Sequence, residues 1–209
     1  MANIVKDPIS VSIIGGSGYT GAELIRLISK HPHFELNQVV ANRNAGKKIQ
    51  DIFPHLRHLE IPDFINLEEM NFDNVDLIFC ALPHATSQEI IVRIPEGKKI
   101  IDLSADFRLE QVEEYERWYG SKHIAHSLQE KAVYGLTEIY KEKIKKGSLI
   151  ACTGCNSAAS LYPVLPLLNE GIINGDSLII NLGAGVSGAG RDAKQNIIHA
   201  EVSEGVKPY

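Results

Sequence analysis

The chain has 209 residues, 44% hydrophobic and 22% charged, which is enough apolar material for one large core and part of a second. With 21 basic and 26 acidic residues the net charge is -5, so no basic face is on offer to nucleic acid. No apolar run approaches the ~20 residues that span a bilayer, and the opening MANIVKDPIS lacks the pattern of a secretory signal. Three cysteines without framework spacing suit a reducing compartment, so a cytoplasmic protein with no membrane partner is expected.

In chain order, ISVSIIGG (9–16) reads as a buried strand and AELIRLISKH (22–31) as a helix with Leu24, Ile25, Leu27 and Ile28 on one face. ELNQVVAN (35–42) is a second strand, and 40–62 reads as a long connection. VDLIFCALP (75–83), KKIIDLS (98–104), SLIAC (148–152) and DSLIINLGA (176–184) are further strands. HATSQEIIVRI (84–94) and EQVEEYERWYG (110–120) are helix-compatible. Near-continuous apolar strands alternating with helices predict a doubly wound parallel sheet covered on both faces, with a domain change near 150–155.

The first strand runs into Gly16, Ser17, Gly18, Tyr19, Thr20 and Gly21, a G-x-G-x-x-G turn that opens a helix. In a dinucleotide site the first glycine allows the tight turn and the second lets backbone approach a pyrophosphate. The third permits close packing, and the helix N-terminus faces the phosphates. An acid about 20 residues further on would bind a ribose 2′-hydroxyl. That place instead reads Ala41-Asn42-Arg43-Asn44, with Lys47 and Lys48 after it. Cations without an acid suit a 2′-phosphate, so NADP is the expected cofactor, with Arg43 as its contact. A solvated basic loop is the competing reading.

Cys152-Thr153-Gly154-Cys155 ends an apolar run. A structural zinc site takes about four ligands, and only Cys80 remains, within a strand, so no metal is expected. A thioredoxin-like pair would open the first helix of a small domain, which this one does not. Cys155 precedes the small, helix-prone NSAAS, with Asn156 or Ser157 as possible caps. A helix N-terminus stabilises a thiolate, so Cys155 is the expected nucleophile, ahead of a redox pair or an inert buried thiol.

These segments together resemble the N-acetyl-gamma-glutamyl-phosphate reductase family, in order along nearly the whole chain. They are GGSGYTGAEL (15–24), LPHATS (82–87), IDLSADFRL (101–109), WYGSKH (118–123), AVYGLTE (132–138), TGCNSAA (153–159) and GVSGAGRDAK (185–194). The resemblance implies an α/β fold: a Rossmann-like NADP-binding domain over 1–152, then over 153–209 the incomplete start of an α+β semialdehyde-dehydrogenase-like catalytic and dimerisation domain. It implies NADPH-dependent reductive dephosphorylation of N-acetyl-L-glutamyl 5-phosphate through a Cys155 thioester, by a homo-oligomer acting on this small molecule. Arg108 is the candidate for the substrate phosphate, against an ion pair with Asp106 or Glu110. Ser187 and Gly188 match the loop near the nicotinamide, against a merely flexible glycine-rich turn. His84 and His123 do not sit on the family's acid/base position and read as structural. That acid/base lies in a His-Arg-His segment expected beyond Tyr209, so the chain is expected to be C-terminally truncated. Two departures, Cys152-Thr153 for Asn-Pro and Asn156-Ser157 after the cysteine, keep two alternatives open. One is a sister reductase of aspartyl or aminoadipyl phosphate, the other a silent NADP-binding protein.

Overall fold

The computed structural model describes residues 8–192 and 194–207. The chain divides between Gly154 and Cys155 into two compact units.

The first unit is built on seven strands: β1 (Ile9–Ile14), β2 (Phe34–Val40), β3 (Phe64–Ile65), β4 (Leu77–Cys80), β5 (Lys99–Asp102), β6 (Val133–Gly135) and β7 (Leu149–Cys152). All pair in parallel, in the order β3-β2-β1-β4-β5-β7-β6. Its helices are α1 (Tyr19–Ile28), α2 (Ile49–Ile52), α3 (Thr86–Ile91), α4 (Val112–Tyr119), α5 (His126–Gln129) and α6 (Thr137–Lys146). The chain winds outward from β1 to β3, then restarts at β4 on the other side of β1. That reversal opens a crevice at the carboxyl ends of β1 and β4.

Strand side chains alternate between two cores, as a pleated sheet covered on both faces requires. Val11, Ile13, Val39 and Phe64 pack with Ala22, Ile25 and Ile28 of α1. Ile14, Val40, Ile78, Cys80, Ile100 and Ala151 pack with Ile91 of α3. Helix α1 starts at the glycine turn, earlier than the apolar pattern suggests, and buries Gly21, Ala22, Ile25 and Ile28. Leu27, expected on that face, is 55% exposed, because it stands about 200° round the helix from Ile25. The connection expected over 40–62 contributes to the core, through Ile49 of α2, Phe53, and Leu56 in the 3-10 turn Pro54–Leu56.

The second unit contains α7 (Cys155–Asn169), 3-10 turns at Gly175–Ser177, Val186–Ala189 and Gln195–Ile197, and α8 (His199–Val202). The strand expected over 176–184 does not form: Gly175–Ser177 is a 3-10 turn, 178–185 is irregular, and Ile179 is 89% exposed. An apolar run becomes a strand only against a ladder partner, and among the described residues this run has none. No described residue of this unit is buried, although α7 carries Leu161, Val164, Leu165, Leu167 and Leu168. Among the described residues of the whole chain, no helix is long and apolar enough to cross a membrane.

Candidate functional site

At the carboxyl end of β1 the four glycines divide the work. Gly15 has φ +90, and a Cβ there would collide with the Ala81 carbonyl, so the left-handed turn falls at Gly15, not at Gly16. Gly16 is glycine because a Cβ would strike Val39 Cγ1, and a Cβ on Gly21 would come 2.5 Å from the Gly16 carbonyl. Gly16 and Gly21 are buried, while Ser17, Gly18, Tyr19 and Thr20 are partly or fully accessible. At Gly18 a Cβ would meet nothing within 4 Å. The protein itself therefore does not require glycine at Gly18, and the open space beside it is room that a close ligand would use. The N-cap of α1, Gly18, offers no side chain to its first turn and no acid stands there, an arrangement that suits an anion at the helix N–H groups and the dipole. These residues fit a dinucleotide pyrophosphate.

Arg43 is exposed in the 3-10 turn Asn42–Asn44, directly after β2. Asn42 Oδ1 accepts the Leu67 N–H at 3.0 Å and pins the turn. Lys47 reaches Asn44 Oδ1 at 3.3 Å, and Lys47 and Lys48 are both exposed.

Beyond β4 and β5 lies a buried polar network of which the sequence reading recognised little. Asp106 accepts the N–H groups of Ala85 at 2.8 Å and Gln88 at 2.9 Å, and the Tyr115 hydroxyl at 2.8 Å. Asp102 accepts the hydroxyls of Ser87 at 2.5 Å and Ser104 at 2.6 Å. Burial pushes the Asp102 carboxyl up from its ordinary value against the opposing pull of these hydroxyls. Burial, and then the Asp106 carboxylate that holds its proton, push Tyr115 up as well. His123 donates Nε2–H to the Asp106 carbonyl at 2.9 Å, and burial lowers its pKa. The available signal was an acid embedded in the apolar run IDLSADF, a setting that an acid tolerates only when hydrogen-bonded.

Arg108 forms neither of the ion pairs weighed for it. Its Nε donates to the Cys152 carbonyl at 2.6 Å and its Nη2 to the Leu103 carbonyl at 2.8 Å. These bonds tie the loop after β5 to the end of β7 and leave the other guanidinium N–H groups for an anion. Burial, then Asp102, raise the Cys152 thiol, with Arg108 opposing them.

In the second unit Cys155 is exposed and is the first residue of α7. Asn156 and Ser157 lie inside the helix, which starts one residue before the expected caps. Cys155, Asn156 and Ala159 form one wall of a groove of about 290 Å³, and Leu182, Gly183, Ala184, Gly185, Ser187 and Gly188 form the other. The Asn156 carboxamide oxygen is 4.0 Å from the thiol. The groove thus brings together Cys155, Ser187 and Gly188. Exposure rules out the inert buried thiol at Cys155; Cys80 is the buried one, and burial raises its pKa strongly. Among the described residues no group of three or more His, Cys, Asp or Glu is placed to hold a metal.

Residues 10–147 match the semialdehyde dehydrogenase NAD-binding domain, and residues 155–209 match the semialdehyde dehydrogenase dimerisation domain. The chain belongs to the semialdehyde dehydrogenase family. Within it, the chain is 52% identical over 199 residues to an N-acetyl-gamma-glutamyl-phosphate reductase of Rhodobacter capsulatus, covering 95% of this chain and 58% of that protein. A reductase of the same name from Ruegeria pomeroyi is 51% identical over 95% of this chain and 58% of its own. The chain thus spans less than two thirds of the length of these relatives. Among solved structures, aspartate semialdehyde dehydrogenase II of Vibrio cholerae matches with a TM-score of 0.57 at 15% identity, over 78% of this chain and 47% of that one. The Candida albicans aspartate semialdehyde dehydrogenase gives 0.56 at 21% identity, over 78% and 48%. At such identities these two establish the fold alone.

Proposed function

We propose that the chain carries the cofactor-binding and nucleophile-bearing part of an NADPH-dependent N-acetyl-gamma-glutamyl-phosphate reductase. Residues 1–152 form the NADP domain in this reading, and 153–209 begin the catalytic and dimerisation domain. The observation that carries it is Cys155: an accessible thiol at the first residue of a helix, walling a groove with the glycine loop that holds Ser187 and Gly188. Relatives of this name at 51–52% identity over nearly the whole chain favour the acyl phosphate of N-acetylglutamate over those of its sister enzymes.

Cys155 stands at the N-terminal end of α7, the positive end of the helix dipole. Cys155 Sγ bonds to the acyl carbon as the bond from that carbon to the phosphate oxygen breaks, releasing inorganic phosphate and leaving a thioester. Ser17, Gly18, Tyr19 and Thr20 would hold NADPH, with Arg43 on its 2′-phosphate, and the bound cofactor would supply the hydride. After reduction the C–S bond breaks, giving the semialdehyde and returning the thiolate. Arg108 is the proposed phosphate ligand, through the N–H groups that the Cys152 and Leu103 carbonyls leave free. Self-association belongs to the same reading, because the match to a dimerisation domain falls on the unit whose described residues bury no core.

The test runs the reaction backwards with N-acetylglutamate semialdehyde, NADP and phosphate, following NADPH at 340 nm. Phosphate-dependent NADPH formation that disappears in Cys155→Ala supports the reading. Retained activity in that variant removes it. Tight NADPH binding without turnover leaves the silent cofactor-binding protein as the better description of the chain.

A further inference from the structure

The LPHATS segment lies at the crevice, and the proposed mechanism does not use its histidine. Ala81 continues from β4 with its N–H on the Ile14 carbonyl at 2.7 Å, and its own carbonyl blocks any Cβ at Gly15. Leu82 Cδ2 would lie 3.1 Å from that same Cβ. The segment therefore packs directly on the glycine turn and forms the β4 wall of the crevice. In a doubly wound dinucleotide site the β1–β2 side receives the adenosine half, and the strands beyond the reversal face the other nucleotide.

His84 lies two residues beyond Leu82 on this wall. Its Nδ1 accepts the Ala105 N–H at 2.9 Å, which puts the ring proton on Nε2. The ring leans on Tyr119, with centroids 5.6 Å apart at 58°, and the residue is exposed. It is thus a fixed hydrogen-bond donor facing open space. The next residue, Ala85, has φ +65 and ψ -30, a backbone region that L residues rarely adopt. Asp106 holds this turn through the Ala85 N–H, and is itself held by Tyr115 and by the Gln88 N–H. Two loops thus converge on one result, an exposed histidine with a single ring orientation, on the loop that leaves β4, whose Nε2–H is not taken up by the Ala105 bond.

We propose that His84 is a cofactor-binding residue for the nicotinamide half of the dinucleotide. It donates Nε2–H to an oxygen of the carboxamide or of the adjoining ribose, and Asp106 is the positioning residue that holds its loop. The inference rests on the cofactor reading above and adds a residue to it.

The experiment titrates NADPH and 2′,5′-ADP, the adenosine half alone, into the wild type, His84→Ala and His84→Gln, with a thermal melt of each. Gln is chosen because its amide NH₂ stands near the position of Nε2. His84→Ala is expected to weaken NADPH about twofold to twelvefold, the range for one uncharged hydrogen bond. Its affinity for 2′,5′-ADP stays at the wild-type value, and His84→Gln recovers most of the loss. NADPH affinity unchanged in His84→Ala overturns the inference, and so does an equal loss for both ligands. A wild-type protein that binds neither ligand fails at the earlier step, overturning the cofactor reading and this inference with it.

Discussion

The contrast between Gly16→Ala and Gly18→Ala separates packing from ligand binding at two positions of one motif. At Gly16 the new methyl would fall on Val39 Cγ1, far inside the 3.0 Å that real Cβ atoms essentially never cross, and Val39 is 0% exposed in β2. Overpacking of that kind costs about 1–3 kcal/mol. A loss of ~2 kcal/mol lowers the melting temperature of a domain this size by about 4–8 °C. At Gly18 the methyl meets nothing, and φ -86 with ψ 173 is open to alanine. Losing glycine stiffens the unfolded chain in favour of folding by about 0.4–1 kcal/mol. Alanine is a poorer N-cap than glycine, which opposes that gain, so the melt should hardly move. If a pyrophosphate lies against Gly18, the same methyl occupies its place, and NADPH affinity falls at least tenfold, about 1.4 kcal/mol or more. Differential scanning fluorimetry and a fluorescence titration of NADPH read the two effects apart. Gly18→Ala with wild-type NADPH affinity would refute the assignment of the open space. A large drop in its melting temperature would refute the claim that the free protein tolerates a side chain there.

Arg43→Ala should weaken NADPH about 10- to 100-fold by removing a charge-assisted contact to the 2′-phosphate, and leave NADH affinity nearly unchanged, as paired titrations would read. Under native conditions iodoacetamide should label exposed Cys155 well before Cys80, which is 0% exposed; peptide mass mapping over time checks the order, and equal rates would remove the nucleophile argument. His123 gives a pH dependence. Its folded pKa lies below the unfolded value near 6.5, so the unfolded chain takes up a proton first as pH falls. Its contribution is complete above pH 6.5 and is lost as pH drops from there through the folded value. His123→Gln should flatten that part of a melting-temperature profile. Arg108→Met should lower stability by about 1–3 kcal/mol by stranding the Cys152 and Leu103 carbonyls, a loss that denaturant melts would register.

Local signals were legible in the sequence, and signals spread along the chain were not. Strands β1, β2, β4, β5 and β7 each follow from one apolar run, although every run extends beyond its ladder. β3 has two residues and β6 three, too few for any period. Helix α6 is largely Lys and Glu, with only Ile139, Tyr140 and Ile144 to mark an apolar side. The run at 176–184 is the reverse case, since apolar content predicts a strand only where a partner stands. In the site, the glycine turn and the cysteine at the start of a helix are visible in a few consecutive residues. The surroundings of Arg108 are not: its acceptors are the carbonyls of Leu103 and Cys152, five and 44 residues away. The ion pairs weighed with Asp106 and Glu110 were nearer in sequence, but Asp106 is occupied by amides 18 and 21 residues back.

There is a physical reason for acids at those places. A parallel sheet that reverses at β1 and β4 must release its strands at the carboxyl edge to leave a crevice, and the released backbone loses its ladder partners. Here β4 ends at Cys80 and β5 at Asp102, and the next N–H groups in need of acceptors include Ala85, Gln88, Ser104 and Ala105. Asp106, Asp102 and His84 accept them. Apolar side chains there would orphan these buried donors at about 1–3 kcal/mol each, and bulkier loops would close the crevice. Buried carboxylates serve both needs, because each takes several donors in little volume. The raised Asp102 pKa is the electrostatic consequence. The loop geometry that presents His84 therefore depends on residues that touch no ligand. Substitutions at Asp106 or Tyr115 should change cofactor affinity only to the extent that they move the Ala85 turn.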